Sequence, residues 1–212
     1  MSRKDGRGSN RGAGNRGPVR RRNAAGAGSI GLGTIAVAVV VAVAAIIGVL
    51  AWLSRPDPLE PQANFGNNGA TGKPVDGIKC ATQESLQFHI HSHLDVLVDG
   101  KKVVVPPNIG VPGGCLYWLH THDKSAVIHV ESPVRRTYAL GDFFDIWGAP
   151  LSKTKILSFD VNRSEPLRVY VNGKRYEGDP RNVPIKSHEE IALVIGKMKT
   201  KPPASYDFPP GE

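Results

Sequence analysis

The sequence is poor in sulfur, because its 212 residues include only two cysteines and two methionines. Cu⁺ carriers recruit several soft thioether or thiolate ligands, so Met1 and Met198 alone argue against a methionine-based carrier. Cys80 and Cys115 are too far apart for a C-x-x-C redox or zinc motif. The sequence also has no Ser-His-Asp, Cys-His or phosphate-loop pattern that would support other enzyme classes.

Charge is absent from a long segment near the N-terminus. No Asp, Glu, Lys or Arg occurs from Asn23 to Ser54, and residues 29–53 are apolar almost throughout. A helix over residues 30–53 would reach about 36 Å, enough to cross a hydrocarbon core of roughly 30 Å. The segment therefore predicts a transmembrane helix. A cleaved signal peptide is the alternative, which the length of the run and the lack of a clear cleavage site disfavour.

The two flanks of this segment differ in charge. Residues 1–28 hold eight Lys and Arg beside Asp5, mixed with Gly, Asn and Ala, a composition that predicts a disordered tail. Positive charge before the span favours a cytoplasmic N-terminus. We therefore expect a single-pass plasma-membrane protein, with the lipid bilayer as a partner and an extracytoplasmic C-terminal part. Residues 54–212 carry 19 basic and 18 acidic residues, so no nucleic-acid binding is predicted for the folded domain.

Composition divides the rest of the chain into three parts. Residues 54–78 are rich in Pro, Gly and Asn and predict a linker. Residues 79–205 are sufficient for one modest hydrophobic core and form the predicted domain. Residues 206–212 contain two consecutive prolines and predict a flexible tail.

Both cysteines lie in the predicted domain. In an oxidising compartment an even pair indicates a disulfide, here between Cys80 and Cys115. Such a bond closes a loop of about 35 residues and would stabilise the fold by about 3 to 4 kcal/mol in the chain-entropy model. Metal ligation and a redox pair are the alternatives, and no C-x-x-C spacing supports them.

The periodicity of the domain is mostly that of β structure. Residues 88–98 alternate apolar residues with His and Asp, which predicts a strand with one apolar and one histidine-bearing face. Residues 99–100 and 172–173 are Asx-Gly pairs that predict hairpin turns, and residues 189–196 predict a further strand. Residues 140–147 have apolar side chains at i, i+3, i+4 and i+7, as in an amphipathic helix. The expected fold class is mainly β (α+β): a small antiparallel β domain with one short amphipathic helix, preceded by one N-terminal transmembrane helix.

The strongest functional signal is a group of histidines, six of which lie between His89 and His129. Alternate residues of a strand share one face and lie about 6.7 Å apart, so His89 and His93 would be roughly 13 Å apart and cannot bind one ion together. A His-x-His pair together with a histidine from an adjacent strand would form a site with three imidazoles, and His120 with His122 is a second pair of this kind.

His129 joins such a site under one condition. A four-residue loop after His122 would place His129 directly opposite His120, and Glu131 would share the face of His129. The candidate metal ligands are His89, His91, His120, His122 and His129, with His93 and His188 as further candidates whose geometry is less favourable. Asp95 and Asp123 are candidates for carboxylates that hydrogen bond to the ligand imidazoles and fix their tautomers.

The pattern leaves three interpretations of function open, of which it favours the first. The domain binds Zn²⁺ or Cu²⁺, for metal handling or delivery, or as an accessory to an envelope or respiratory assembly with a membrane-protein partner. Alternatively, the same ligands form a metal-dependent enzyme with an open coordination position, in which Asp123 or Glu131 is the general base. In the third interpretation the histidines line the exposed face of a structural or interaction module, where they could also respond to pH.

Four segments occur together in the predicted domain: HIHSHLDVLVDGK, LHTHDKSAVIHVESP, LGDFFDIWG and VNGKRYEGDPRNVPI. With this combination, over about residues 79–205, the chain resembles an uncharacterised bacterial family of single-pass membrane-anchored extracytoplasmic proteins. The resemblance implies an anchor and a location outside the cytoplasm, and it implies no activity.

Overall fold

A computed structural model of the chain describes residues 32–53, 65 and 69–212. The chain divides into two compact units, Met1–Ser54 and Arg55–Glu212. The described part of the first unit is one helix, α1, Leu32–Leu53. Among the described residues, no helix meets the combined requirements of length and apolarity for crossing a membrane. The predicted disordered tail, residues 1–28, lies outside the described residues, as do residues 29–31 of the predicted span and residues 54–64 and 66–68 of the predicted linker.

The second unit is mainly β structure with one short α-helix. In chain order its strands are β1 Cys80–Ala81, β2 Phe88–Val98, β3 Lys101–Val103, β4 Leu116–Tyr117, β5 Leu119–His120, β6 Val127–Ser132, β7 Tyr138–Ala139, β8 Lys155–Ile156, β9 Phe159–Asp160, β10 Arg168–Val171, β11 Lys174–Tyr176, β12 Pro184–Ile185 and β13 Glu189–Ile195. The helix α2 is Leu140–Trp147, and a 3₁₀ turn covers Pro180–Asn182.

Both predicted hairpin turns are confirmed. Strands β2 and β3 are joined by Asp99 and Gly100, and strands β10 and β11 by Asn172 and Gly173. All four residues have positive φ, between 49° and 76°. A type I′ turn requires positive φ at both central residues, which Asx and Gly adopt most easily. The local sequence therefore determines these two connections.

Seven strands form the main sheet, in the order β11-β10-β13-β2-β6-β5, and β3 pairs with the end of β2. The neighbouring pairs are antiparallel except for β13 and β2, which are parallel with Glu190 opposite His93. This central pair corrects the expectation of an antiparallel domain. The alternation in residues 88–98 predicts a strand with one polar face, but it contains no information on the direction of the neighbouring strand.

One face of the main sheet packs against α2. Leu94 from β2 and Ile128 from β6 are fully buried in the same apolar cluster as Phe143 and Trp147 from the helix. The predicted amphipathic helix is confirmed, and it ends where Gly148 adopts the left-handed conformation with φ 74°. The opposite face of the sheet is therefore the one that carries the histidines.

The core begins before the predicted domain boundary. Ala70 and Ile78, both in the predicted linker, are buried in the main apolar cluster, and Ile78 forms a β-bridge with Val75. The Tyr117 hydroxyl donates to the main-chain oxygen of Lys73 at 2.5 Å. Single apolar residues among Gly and Pro have no periodicity, so composition alone does not distinguish this segment from a linker.

Cys80 and Cys115 form a disulfide, as predicted. The bond lies beside the short ladder in which Cys80 is opposite Tyr117. It therefore fixes the segment that leads through β4 into β5, the strand that carries His120.

Candidate metal centre

Three histidines and one glutamate on the histidine-bearing face of the sheet are buried. His91, His120 and His129 are at most 6% exposed, and Glu131 is 4% exposed. Polar side chains are seldom buried without hydrogen bonds or another polar partner, because burial removes them from water. The interpretation in which the histidines only line an exposed face does not hold for these residues.

The register of three strands brings the imidazoles together. His129 on β6 lies opposite His91 on β2 and opposite His120 on β5. Residues 121–126 connect β5 to β6. His129 lies opposite His120, the position expected for it on the condition that the turn after His122 has four residues. His89 lies opposite Glu131 in the next row of the same ladder. The ring of His122 lies 4.4 Å from the ring of His129, between centroids.

These side chains form two sets of four candidate ligands, and within each set the donor atoms all lie within 4.8 Å of one another. The first set is His89, His91, His129 and Glu131, and the second is His120, His122, His129 and Glu131. His129 and Glu131 belong to both sets. We refer to the six residues as the His/Glu cluster.

Two distances in the cluster match a tetrahedral metal ion. Zn–N bonds of about 2.0–2.1 Å place two tetrahedral donors about 3.3–3.4 Å apart. The Nε2 atoms of His120 and His122 are 3.3 Å apart, and Nε2 of His89 is 3.3 Å from Oε1 of Glu131. One such pair lies in each set.

The orientation of His120 is fixed by the main chain. Its Nδ1 lies 2.9 Å from the carbonyl oxygen of Tyr117, which only accepts hydrogen bonds, so Nδ1 carries the proton and donates. In the neutral ring the lone pair is then on Nε2, which faces His122 and Glu131. Metal-binding imidazoles are commonly held in this way by a carbonyl oxygen on the other nitrogen.

Gly110 provides the space behind His120. Its φ is 77°, and a Cβ atom there would lie 2.5 Å from the Leu119 oxygen and 3.1 Å from Cβ of His120. A side chain at this position would therefore displace β5 as well as strain the backbone. The glycine is a local requirement for the position of His120.

Burial keeps two of the imidazoles neutral. It lowers the pKa of His120 to about 4, although the nearby Glu131 carboxylate opposes the shift. Burial, together with the charges of His129 and His89, also lowers the pKa of His91 to about 4. Burial alone would raise the pKa of Glu131, but the surrounding imidazoles of His129, His120 and His89 hold it below the usual range. Near neutral pH His91 and His120 are therefore neutral and Glu131 is anionic, which are the protonation states that bind metals.

Two buried atoms of the cluster have no hydrogen-bond partner among the described residues: Nδ1 of His129 and Oε2 of Glu131. Buried polar atoms without a partner are rare, and an ion or water usually accounts for them. A cation between the imidazoles and the carboxylate would satisfy both atoms. The cluster therefore has the donors, the protonation states and the unsatisfied atoms of a metal site.

The structure separates His93 from the cluster. Its Nδ1 lies 2.6 Å from Oε2 of Glu190, and its Nε2 lies 2.9 Å from the carbonyl oxygen of Ser125. His93, Asp95 and Glu190 are close enough together to form a third set, but both ring nitrogens of His93 already have partners. Asp95, a candidate for orienting an imidazole, instead forms an ion pair with Lys102 at 2.7 Å.

His188 and Asp123 lie outside all of these sets. Nδ1 of His188 contacts the Ser187 hydroxyl at 2.7 Å, and its Nε2 contacts the main-chain oxygen of Glu212 at 2.9 Å. The Asp123 carboxylate accepts a hydrogen bond from the Ser125 amide at 2.8 Å and closes the turn before β6. The hydrogen bonds from Ser125 lower the pKa of Asp123.

Three carboxylates near the imidazoles were not predicted as metal ligands. Glu131 was expected on the same face as His129, but only as a candidate general base. Oε1 of Glu84 lies 4.0 Å from Nε2 of His122, and Oε1 of Glu212 lies 3.9 Å from Nε2 of His129. No periodic signal connects Glu84 or Glu212 with the histidines, because both reach the cluster through irregular segments.

No protein-family model, curated protein or solved structure matches the chain. The likeness to a bacterial family of membrane-anchored proteins therefore stays a prediction. Function is therefore inferred from the geometry and chemistry of the His/Glu cluster.

Proposed function

We propose that the second unit is a metal-binding domain that holds a divalent transition metal, zinc or cupric copper, at the His/Glu cluster. Its role would be metal handling or delivery, or service as an accessory to an envelope or respiratory assembly. One observation carries the proposal. Nδ1 of His129 and Oε2 of Glu131 are buried in one group of imidazoles, and neither has a hydrogen-bond partner among the described residues.

The donor types support the choice of metal. Each set offers three imidazoles and one carboxylate, and Zn²⁺ accepts both kinds of ligand in tetrahedral sites. Imidazole also suits Cu²⁺, whereas Cu⁺ favours thiolate and thioether ligands. The only cysteines are joined in a disulfide, so neither supplies a thiolate. Zinc is therefore the first candidate and cupric copper the second.

The contacts support binding more than catalysis. The first set by itself, His89, His91, His129 and Glu131, has four protein donors, which are sufficient to close a tetrahedral ion, whereas catalytic zinc sites keep a position for water. Neither candidate general base is well placed, because Asp123 is engaged in its turn with Ser125 and Glu131 lies among the imidazoles. His89 and His122 are 32% and 48% exposed in their side chains, so an ion could exchange with solution from that side.

Location outside the cytoplasm is part of the proposal, and the disulfide between Cys80 and Cys115 supports it. The bilayer anchor at residues 29–53 and an envelope membrane-protein partner are predictions from the sequence. In intact cells, a membrane-impermeant maleimide should modify the two cysteines only after reduction with an impermeant phosphine. A chain that stays unlabelled after reduction, yet is labelled once the cells are lysed, would contradict the extracytoplasmic location.

The metal-binding proposal is tested by elemental analysis of the purified full chain. We expect zinc or copper at one or more ions per chain after dialysis, and a higher melting temperature when Zn²⁺ or Cu²⁺ is added to the metal-free protein. The double variant His120→Ala, His129→Ala should retain less than a tenth of this metal, because it removes ligands from both sets.

His188→Ala is the matched control, since it removes one histidine that lies outside both sets. It should retain the metal content of the unchanged chain. The proposal fails if the unchanged chain holds no metal after loading with Zn²⁺ or Cu²⁺ and neither ion changes its melting temperature.

A further inference from the structure

The two carboxylate oxygens of Glu131 face different imidazoles. Oε1 lies 3.3 Å from Nε2 of His89 and 3.6 Å from Nδ1 of His129. Oε2 lies 3.9 Å from Nε2 of His120. One oxygen therefore belongs to the β2 side of the cluster and the other to the β5 side. A carboxylate in this arrangement can bind one metal ion with each oxygen.

The remaining ligands divide in the same way. His89 and His91 belong only to the first set, and His120 and His122 belong only to the second. These two pairs come from β2 and from the end of β5, which lie on opposite sides of β6. Two donors of one zinc ion are at most about 4.2 Å apart, so donors spread over three strands are more easily served by two ions than by one.

Each side of the cluster also contains one of the two buried atoms that have no hydrogen-bond partner among the described residues. Nδ1 of His129 lies beside Oε1 of Glu131, on the side of His89. Oε2 of Glu131 is on the side of His120. An ion on only one side would leave the buried atom of the other side unsatisfied, whereas one ion on each side satisfies both.

Additional negative charge lies at both ends of the cluster. Glu84 is 4.0 Å from His122, and Glu212 is 3.9 Å from His129. Both carboxylates are partly exposed, at 49% and 31%. They could therefore move closer to bound ions without breaking a buried ion pair. With Glu131 they would offset much of the charge that two divalent ions bring into the site.

We propose that the His/Glu cluster is a dinuclear centre in which Glu131 bridges two divalent ions. His89, His91 and His129 bind the first ion, and His120 and His122 bind the second. This inference rests on the proposed metal-binding function and adds the number of ions and the bridging role of Glu131. Carboxylate-bridged pairs of ions are known in proteins at separations of about 3.5–4 Å.

The test is the stoichiometry of Zn²⁺ binding to the metal-free full chain, titrated against a chromophoric chelator. We expect two ions per chain. His89→Ala and His122→Ala each alter one exposed end of the cluster and should each leave one tightly bound ion. Glu131→Gln should weaken both ions at least tenfold, while Glu190→Gln, a matched change at a buried glutamate on the same face of the sheet, should still bind two ions.

Cu²⁺ provides a readout that does not depend on affinity. Two Cu²⁺ ions bridged by one carboxylate couple magnetically, so the fully loaded chain should show less electron paramagnetic resonance intensity than two isolated Cu²⁺ ions. Loading of His122→Ala should restore the full signal of one isolated ion. Circular dichroism of each metal-free variant checks that it is folded.

The outcomes separate this inference from the metal-binding proposal. One ion in the unchanged chain, bound without magnetic coupling at any loading, overturns the dinuclear centre and leaves metal binding intact. The bridging role is overturned if the unchanged chain binds two ions without magnetic coupling and Glu131→Gln binds both ions as tightly as the unchanged chain. Absence of any bound ion overturns both proposals.

Discussion

Nδ1 of His93 lies 2.6 Å from Oε2 of Glu190, and each residue is 1% exposed. The pair joins the two parallel strands at the centre of the sheet, where Glu190 is directly opposite His93. Burial raises the pKa of Glu190, and the hydrogen bond to His93 opposes that shift. The Ser125 carbonyl occupies the other ring nitrogen. His93 therefore has the contacts of a structural histidine, although it stands in the same H-x-H-x-H run as His89 and His91.

Replacing His93 with Ala should lower the free energy of unfolding by about 3 kcal/mol, because it leaves Glu190 buried without its partner. Urea unfolding of the metal-free protein measures this loss. The double variant His93→Leu, Glu190→Leu should recover most of it, since no buried carboxylate remains. The folded His93→Ala chain should still bind as much Zn²⁺ as the unchanged chain. A folded variant that has lost its metal would instead make His93 a ligand.

Much of the cluster could be predicted from local patterns. Alternation predicts His89 and His91 on one face, and His129 is predicted opposite His120 on the condition that the turn after His122 has four residues. The distance along a strand also predicted that His93 would not share an ion with His89. Each of these predictions depends on residues that are close in sequence, because periodicity and loop length fix their geometry.

The parts that the sequence did not reveal depend on distant contacts. The partner of His93 is on β13, which pairs with β2 in parallel, and no local pattern identifies that neighbour. Burial of the histidine-bearing face was also unexpected, since alternation of apolar and polar residues ordinarily indicates a half-exposed sheet. The position of Glu131 as a candidate ligand beside His89 depends on the pairing of β6 with β2, which no local pattern predicts.

The disulfide should contribute to stability. Substituting Cys80 and Cys115 together with Ala should lower the free energy of unfolding by about 3 kcal/mol, because the bond restricts a loop of 35 residues in the unfolded chain. Urea unfolding with and without a phosphine reductant measures the effect. The reductant should destabilise the unchanged chain to the level of the double variant and leave the double variant unaffected. Equal unfolding midpoints for all four samples would contradict the prediction.

The segment predicted as a flexible tail, residues 206–212, makes a specific contact at its start. The ring of Tyr206 stacks on His93 with centroids 3.9 Å apart and planes 5° apart. Tyr206→Ala should lower the free energy of unfolding by about 1 kcal/mol through loss of this stacking, measured by urea unfolding. Tyr206→Phe keeps the ring and should keep the stability. If both variants matched the unchanged chain, the stacking would contribute nothing to the fold.

The metal-free domain should lose stability on acidification from about pH 6.5 to about pH 4. His91 and His120 have pKa values of about 4 in the folded chain, against 6.5 without the influence of the fold. Within this window the unfolded chain binds protons at both residues and the folded chain does not, so the free energy of unfolding rises with pH. Each residue contributes a slope of at most about 1.4 kcal/mol per pH unit.

Three glutamates modify this dependence. The pKa of Glu131 is lowered, so its contribution is also lost as the pH falls. Burial raises the pKa values of Glu190 and Glu189, and their contributions have the opposite sign, since they are lost as the pH rises. Urea unfolding in the presence of a metal chelator at pH 7, 6 and 5 measures the dependence, and variants of single histidines separate their contribution from that of the glutamates. His120→Gln should reduce the slope of the free energy of unfolding between pH 6 and 5 by about 1.4 kcal/mol per pH unit, the contribution of one proton. His188→Gln should leave the slope unchanged. A free energy of unfolding that stayed level from pH 7 to 5 would mean that the buried imidazoles take up protons without unfolding.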